Sequence, residues 1–502
     1  MARTRREVRA LGDVWNPTIL WYAKAVGELW KKDITDKTSW RYLAAVHNFD
    51  KDQWVKYGYL TDAAKLPGKA ERDKYWAQCQ HQSWYFWPWH RAYLHTFEDI
   101  VLDTIKSLGG PAGWALPYWN YSKNANAVKV PDAFLAKTLN DGSPNPLYVK
   151  FRYGTAVNPR DVDLTDRISE GQYTGTTSPP LGVGGPSTIF NPSSGPEGLV
   201  EAAPHDKVHG QVGGRGGLMS YTSSAGLDPI FWLHHANIDR LWEVWLNRDK
   251  SNKNPKDSSW LKGPTRPRSF ALYGPDGNDR ASNPKDVLST TDLGYVYDDI
   301  SDPLKGATRR IVRLEALQPH LQALAATSQA EDRKMAPKSR KAELLGSNNK
   351  EISLGPDPVR SRIKLASRPL NTLASSFTRS AMSLKTPGEP DRVFLHLEKI
   401  RGKDGSGMFD VVLHKPDAPP GSPGVNAGSI SLFGLEEASK RSGRHGGNGL
   451  TKTLEITKAI DTMNLNPAQT KNLDVEIVPR SDVRKEDAIK VGLISVQRLS
   501  GK

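Results

Sequence analysis

A single cysteine stands among the 502 residues. One thiol cannot form an internal disulfide, and a structural zinc site built on thiolates is excluded with it. Cys79 must therefore be accounted for on its own. The chain also lacks any apolar run near the roughly 20 residues that a membrane span requires, which excludes a transmembrane protein. Its basic start, MARTRREVRALGD, has no apolar stretch behind it and does not read as an export signal, so a cytoplasmic location is expected, any secretion needing another route. Tryptophan and tyrosine are absent beyond Tyr297, although the chain has 15 and 16 of them. Only Phe377, Phe394, Phe409 and Phe433 remain there to build an aromatic core. A boundary near residue 300, between a heavy core and a light one, follows.

Acidic residues are also in short supply, with 69 Lys and Arg against 55 Asp and Glu and a net charge of +14. From Ser301 to Pro390 there are 16 basic and 8 acidic residues, so 8 of the excess charges lie in one segment. That segment has no aromatic residue to stack on bases except Phe377, which makes it a solvated basic surface and not a nucleic-acid site. Residues 1–300 show apolar positions at helical spacing in Trp15–Trp30, Lys37–Phe49, Arg91–Ser107 and Ile230–Asn247, joined by Gly- and Pro-rich loops. This part is expected to be mainly helical. Residues 301–385 read as a basic linker with one helix candidate, Arg309–Ala326. Over residues 386–502, stretches such as VFLHLEKI, MFDVVLHK and KVGLISVQRL alternate at strand length, which predicts an antiparallel β-sandwich.

What the chain does have is clustered histidine. Of 12 His, all but His320, His396, His414 and His445 fall in the first 240 residues. His205 and His209 are four apart, so on a helix both rings share a face and can address one metal. In DPIFWLHHANIDRLWEVW, Asp228 and Pro229 suit the start of a helix that carries His234 and His235. Adjacent helical residues point about 100° apart, so only one of the two faces the same site. HQSWYFWPWHRAYLHTFE contributes His81, His90 and His95, and His47 ends the helix WRYLAAVHNF. Two imidazole-rich groups without a carboxylate at ligand spacing suit copper or zinc better than iron or manganese.

The segment His81–Glu98, together with PHDKVHG and DPIFWLHHANIDRLW, resembles the two copper motifs of tyrosinases, catechol oxidases and molluscan haemocyanins, the type 3 dicopper proteins. The likeness covers about residues 10–300 and closes on LGYVYDD, similar to the Tyr-x-Tyr motif (here Tyr295 and Tyr297) that meets an N-terminal Arg in that family. It implies a mainly helical catalytic domain with a dicopper four-helix-bundle core. It further implies that His47, His81 and His90 bind copper A and that His205, His209 and His235 bind copper B, with His234 and Phe231 beside the metals without binding them. No role transfers to His95. MFDVVL (Met408–Leu413) and KVGLISVQRL (Lys490–Leu499) are similar to the C-terminal β-domain that covers the copper site in plant polyphenol oxidases and haemocyanins. The resemblance thus implies a lid.

Two cuprous ions can together give O2 two electrons, which zinc cannot do. The activity implied is hydroxylation of monophenols to o-diphenols and oxidation of o-diphenols to o-quinones. Catechol oxidation alone, or haemocyanin-like oxygen binding, are the alternatives, and carriers normally come as arrays of such units. Glu201 matches the family's water-holding Glu, a candidate base for a phenol. Asp206 stands where strong monophenolases have Asn, and an ionised Asp cannot donate a hydrogen bond to that water. Thr222 falls at a bulky gate position of the plant enzymes, and Gly210 follows His209, so both are expected to open the entrance to small phenolic substrates. Cys79-Gln80-His81 has the Cys-x-His spacing that yields a Cys–His thioether in fungal tyrosinases and molluscan haemocyanins. A homo-oligomer is compatible with the sequence.

Overall fold

The computed structural model describes residues 2–500 except 176–181, 191–194, 266–268, 281, 306–341, 367–390, 417, 420–421, 442–445 and 464–470. The chain divides into two compact units: Met1–Thr174, Gly182–Pro192 and Gly198–Pro303 form the first, and the remainder, chiefly Leu304–Lys502, forms the second. The helix candidate Arg309–Ala326 lies outside the described residues. Among those described, no helix is long and apolar enough to cross a membrane.

Five helices organise the first unit: α1 (Pro17–Lys31), α2 (Trp40–His47), α3 (Phe86–Ser107), α4 (Asp206–Gly213) and α5 (Pro229–Arg248). Their starts follow from local chemistry. Asn16 accepts the Ile19 N–H at 3.1 Å ahead of Pro17, Ser39 accepts the Tyr42 N–H at 3.1 Å, and Asp228 accepts the Ile230 N–H at 3.1 Å ahead of Pro229. The tryptophans then fix the helices to one another. Phe97 stacks on Trp232 with centroids 3.6 Å apart, and Trp87 lies parallel to Trp242 at 5.7 Å, joining α3 to α5 along their length.

A short parallel pair, β1 (Arg3–Arg5) and β2 (Tyr295–Tyr297), closes this unit. Arg5 is fully buried; its Nε donates to Glu98 at 2.9 Å, and one guanidinium nitrogen reaches Asp239 at 3.2 Å and the Tyr297 hydroxyl at 2.9 Å. Its guanidinium carbon lies 3.6 Å from the centre of the Tyr295 ring. The Tyr-x-Tyr motif thus meets an N-terminal Arg, as the resemblance implies.

The second unit holds one eight-stranded antiparallel sheet: β3 (Ala342–Asn348), β4 (Val359–Leu365), β5 (Arg392–Ile400), β6 (Met408–His414), β7 (Val425–Ser431), β8 (Leu450–Glu455), β9 (Asn472–Pro479) and β10 (Leu493–Leu499). Their order is β7-β6-β9-β4-β3-β10-β5-β8. In place of the two packed sheets of a sandwich, this single sheet curls around one core to which every strand contributes, among them Leu345, Ile363, Leu397, Val411, Ile430, Leu454, Val475 and Val496. The edge strands β7 and β8 approach each other without pairing, so the sheet is nearly a barrel. Two of its strands, β3 and β4, come from the stretch read as linker.

Candidate metal centre

Four helices and two irregular turns bring the histidines together. His47 is the last residue of α2, His90 is the fifth residue of α3, and His81 sits on the loop before it. His205 ends a π-turn, Glu201–His205, that kinks at Ala203 before running into α4, which carries His209; α5 carries His234 and His235. The four helices that carry these histidines differ greatly in length, at 8, 22, 8 and 20 residues, and two of the histidines lie on irregular backbone. Of these four helices only α3 and α5 pack extensively on one another, so the frame is a helical core without the four-helix bundle expected from the resemblance.

Two groups of potential metal donors result, His47, Cys79, His81 and His90 in one and His205, His209, His234 and His235 in the other. All the histidines except His81 are essentially buried. Burial pushes His47 down to about 4 and His234 to about 3, both from an ordinary imidazole value near 6.5. His90, His205, His209 and His235 are pushed well below that value by burial and then by one another. The rings are thus neutral, which is the form that binds metal.

Four of the rings are turned by a partner on the far nitrogen. His47 Nδ1 bonds the Thr222 carbonyl at 2.8 Å, His90 Nδ1 the Phe86 carbonyl at 2.7 Å, and His209 Nδ1 the Met219 carbonyl at 2.8 Å. His205 Nδ1 lies 2.8 Å from the Asp206 carboxylate. With Nδ1 carrying the proton, all four present a bare Nε2 to the centre. His235 Nε2 comes within 3.3 Å of His209 Nε2, and its ring lies parallel to His90 of the other group at 4.5 Å. His234 instead turns its Nδ1 to the Tyr121 hydroxyl at 3.1 Å. Of the adjacent pair, His235 is therefore the one between the two groups. Phe231 packs against both, 5.0 Å from His47 and 4.2 Å from His235 between centroids.

The other residues singled out by sequence divide. Glu201 is brought to the loop that carries His81, where its Oε1 accepts the Gln82 N–H at 2.7 Å. Asp206 is committed to the His205 ring, a role that the sequence reading did not foresee. Thr222 serves through its backbone oxygen, while its hydroxyl accepts from the Asn48 amide at 3.0 Å. Gly210 is buried in α4 directly after His209. Cys79 Sγ lies 2.9 Å from His47 Nε2, 3.3 Å from His90 Nε2 and nearly equidistant, at 3.6 and 3.5 Å, from the two nitrogens of His81. Burial pushes its thiol pKa up. His95 joins neither group and faces Arg280 at 3.2 Å and Asp99 at 3.5 Å. The carbonyls of Phe86, Met219 and Thr222 were missed because a backbone oxygen leaves no mark on side-chain identity. Tyr121 was missed because nothing in its local sequence points to α5.

A family model described as the common central domain of tyrosinase matches residues 37–180 and 158–248, and one described as a domain of unknown function, DUF7868, matches 341–499. The chain is 32% identical over 509 residues to tyrosinase HcTyr1 of Hahella sp. (strain CCB-MM4), an alignment covering 98% of this chain and 99% of that one. It is 30% identical over 249 residues to the chloroplastic polyphenol oxidase A1 of Vicia faba, covering 45% of this chain and 38% of that protein. The structure of latent apple tyrosinase superposes with a TM-score of 0.60 at 22% identity, covering 100% of this chain and 98% of the other. A functional unit of octopus haemocyanin gives 0.51 at 16%, covering 99% and 100%. At such identities these two structures speak for a shared fold.

Proposed function

Because the chain belongs to the tyrosinase family of dicopper proteins, we propose that it hydroxylates monophenols to o-diphenols and oxidises o-diphenols to o-quinones with O2. The observation that carries this reading is the pair of facing, largely buried histidine groups, in each of which the donor atoms lie within 4.8 Å of one another, close enough to hold a metal ion. His47, His81 and His90 would hold copper A, and His205, His209 and His235 copper B. Bound copper supplies the two-electron exchange with O2.

The chain's own residues do the rest. Phe231 and the tryptophan-rich helices keep water from the centre. Glu201, held by the Gln82 amide, is the base that accepts the proton of an incoming phenol hydroxyl. Asp206 fixes the His205 ring and strengthens it as a donor. Thr222 and Gly210 leave the entrance open to a substrate ring. Cys79 faces the bisecting plane of the His81 ring, which contains the carbon between the two nitrogens, so the thioether is read as joining Sγ to that carbon. Its formation would break one S–H and one C–H bond, the two electrons and two protons reducing O2 to H2O2, an oxidation for which bound copper would supply the chemistry. The C-terminal unit is read as a lid that holds activity low.

The test is the copper-loaded full chain offered a catechol and a monophenol in turn. Quinone should form from both, faster from the catechol, and each chain should hold about two copper ions. Turnover of the catechol alone would reduce the assignment to a catechol oxidase. Reversible O2 uptake without turnover would make it a carrier.

A further inference from the structure

The second unit contains a piece of chain from within the first unit's sequence, Ser193–Glu197, which ends four residues before Glu201. Within the second unit, Lys452 on β8 donates from its Nζ to the Glu197 carboxylate, 255 residues away in sequence. Both side chains are 4% exposed. Two opposite charges so deeply buried hold each other in place, because either alone would stand in a medium that does not solvate it.

What Glu197 is joined to makes the pair more than a staple. The next residue, Gly198, lies so close to the Val183–Gly185 backbone that a Cβ on it would stand 2.7 Å from the Gly185 nitrogen and 2.8 Å from the Val183 oxygen. Leu199 N–H then bonds the Gly182 carbonyl at 2.9 Å. Gly185 in turn lies against Ser83, where a Cβ would stand 2.8 Å from the Ser83 oxygen. Ser83 follows Gln82, whose N–H is held by Glu201 at 2.7 Å. Backbone contacts without slack therefore run from Glu197 through Gly198, Gly185 and Ser83 to the hydrogen bond that orients Glu201.

We propose that Lys452 is a positioning residue for Glu201, acting through Glu197 and this backbone stack. The consequence for monophenols rests on the role given to Glu201 above; the positioning itself does not. In Lys452→Met the buried carboxylate loses its partner, and the stack should loosen.

Amide hydrogen exchange on the copper-loaded full chain reads this directly. Exchange over 195–205 and over 80–85 should rise about tenfold in Lys452→Met while that of the α3 and α5 helices stays unchanged. Lys452→Gln, which keeps a donor without the charge, should show the same pattern at smaller size and serves if the Met variant does not fold. The double variant Lys452→Met with Glu197→Met, free of any orphaned charge, should return both segments to within about threefold of the parent. Unchanged exchange over 80–85, or an equal rise throughout the helices, would overturn the proposal. The ratio of monophenol to diphenol rates should fall about threefold or more in the single variants. An enzyme inactive on monophenols would sink the base role of Glu201 while exchange still decided the positioning. Raised exchange with an unchanged ratio would cut the link between the stack and Glu201.

Discussion

Three of the histidines that face the centre have their far nitrogen on a backbone carbonyl, and one, His205, has it on a carboxylate. A carboxylate behind a ligating imidazole raises its basicity more than a carbonyl does, so Asp206 should make copper B the tighter site. Replacing Asp206 by Ala is expected to weaken one of the two coppers by about 10- to 100-fold in chelator competition, leaving the other unaffected. Asp206→Asn keeps an acceptor for the ring and should retain both ions, while the ratio of monophenol to diphenol rates rises; an unchanged ratio would mean that the carboxylate does not limit hydroxylation. Far from this centre, His396 on β5 is 2% exposed and burial pushes it down to about 4. Its Nδ1 lies 2.9 Å from the Thr453 hydroxyl, and among the described residues its Nε2 has no partner. The unfolded chain binds this proton from about pH 6.5 downward and the folded one only below about 4, so stability should fall as the pH falls between those values. Thermal unfolding of the parent and of His396→Phe across that window should diverge, the parent losing a few kcal/mol more, on the order of 1.4 per pH unit.

At the scale of elements, the start of α5 is the most exposed to a single change. Asp228 both caps the helix at Ile230 and pairs with buried Arg152, whose Nε donates to it at 3.0 Å. Asp228→Ala removes the cap and leaves a buried guanidinium unpaired, a loss of roughly 3–5 kcal/mol. The melting temperature and the copper content should fall together in that variant; loss of neither would deny the cap its part in placing His235. This helix start was legible in the sequence, since Asp-Pro before an apolar run is a local signal. The strands β3 and β4 were not. In β4 the outward residues Arg360, Arg362 and Lys364 alternate with buried Ser361, Ile363 and Leu365. So much charge at every second position reads as solvated linker until the neighbouring strands are known. The paired strand β9 explains it: Asp474 holds Arg362 across the pair at 2.8 Å.

For the whole molecule, the 32% identity to HcTyr1 runs over 98% of this chain and so includes the C-terminal unit. Its proposed action as a lid makes a prediction that only the intact protein can test. The basic run at Arg333, Lys334, Lys338, Arg340 and Lys341 lies outside the described residues, and cleavage within it should raise the catechol rate severalfold. Its continuation, Ala342–Asn348, is strand β3 and should resist the same protease. Activity that stays flat after a cut confirmed by mass would refute the lid. The same mass measurement should find the copper-loaded chain about two units below its sequence value if Cys79 and His81 are joined, with no thiol left to alkylate after unfolding.

The sequence by itself determined where the candidate donors stand, eight histidines in the first 240 residues in motifs whose spacing reflects local helix geometry, with one cysteine beside them, and the change in aromatic content near residue 300. It also carried the Tyr-x-Tyr motif and the expectation of an N-terminal Arg against it, while which arginine that is, Arg5, came from the structure. Only the tertiary structure decided which carbonyls turn the His47, His90 and His209 rings, that Tyr121 engages His234, and that Asp206 serves His205. Those choices depend on contacts between residues far apart in the chain, such as His47 with Thr222 or Tyr121 with His234. The sheet makes the same point. Alternation announces a strand, because side chains of a strand point to opposite faces, but a partner is chosen by a surface that exists only once the other strands are in place.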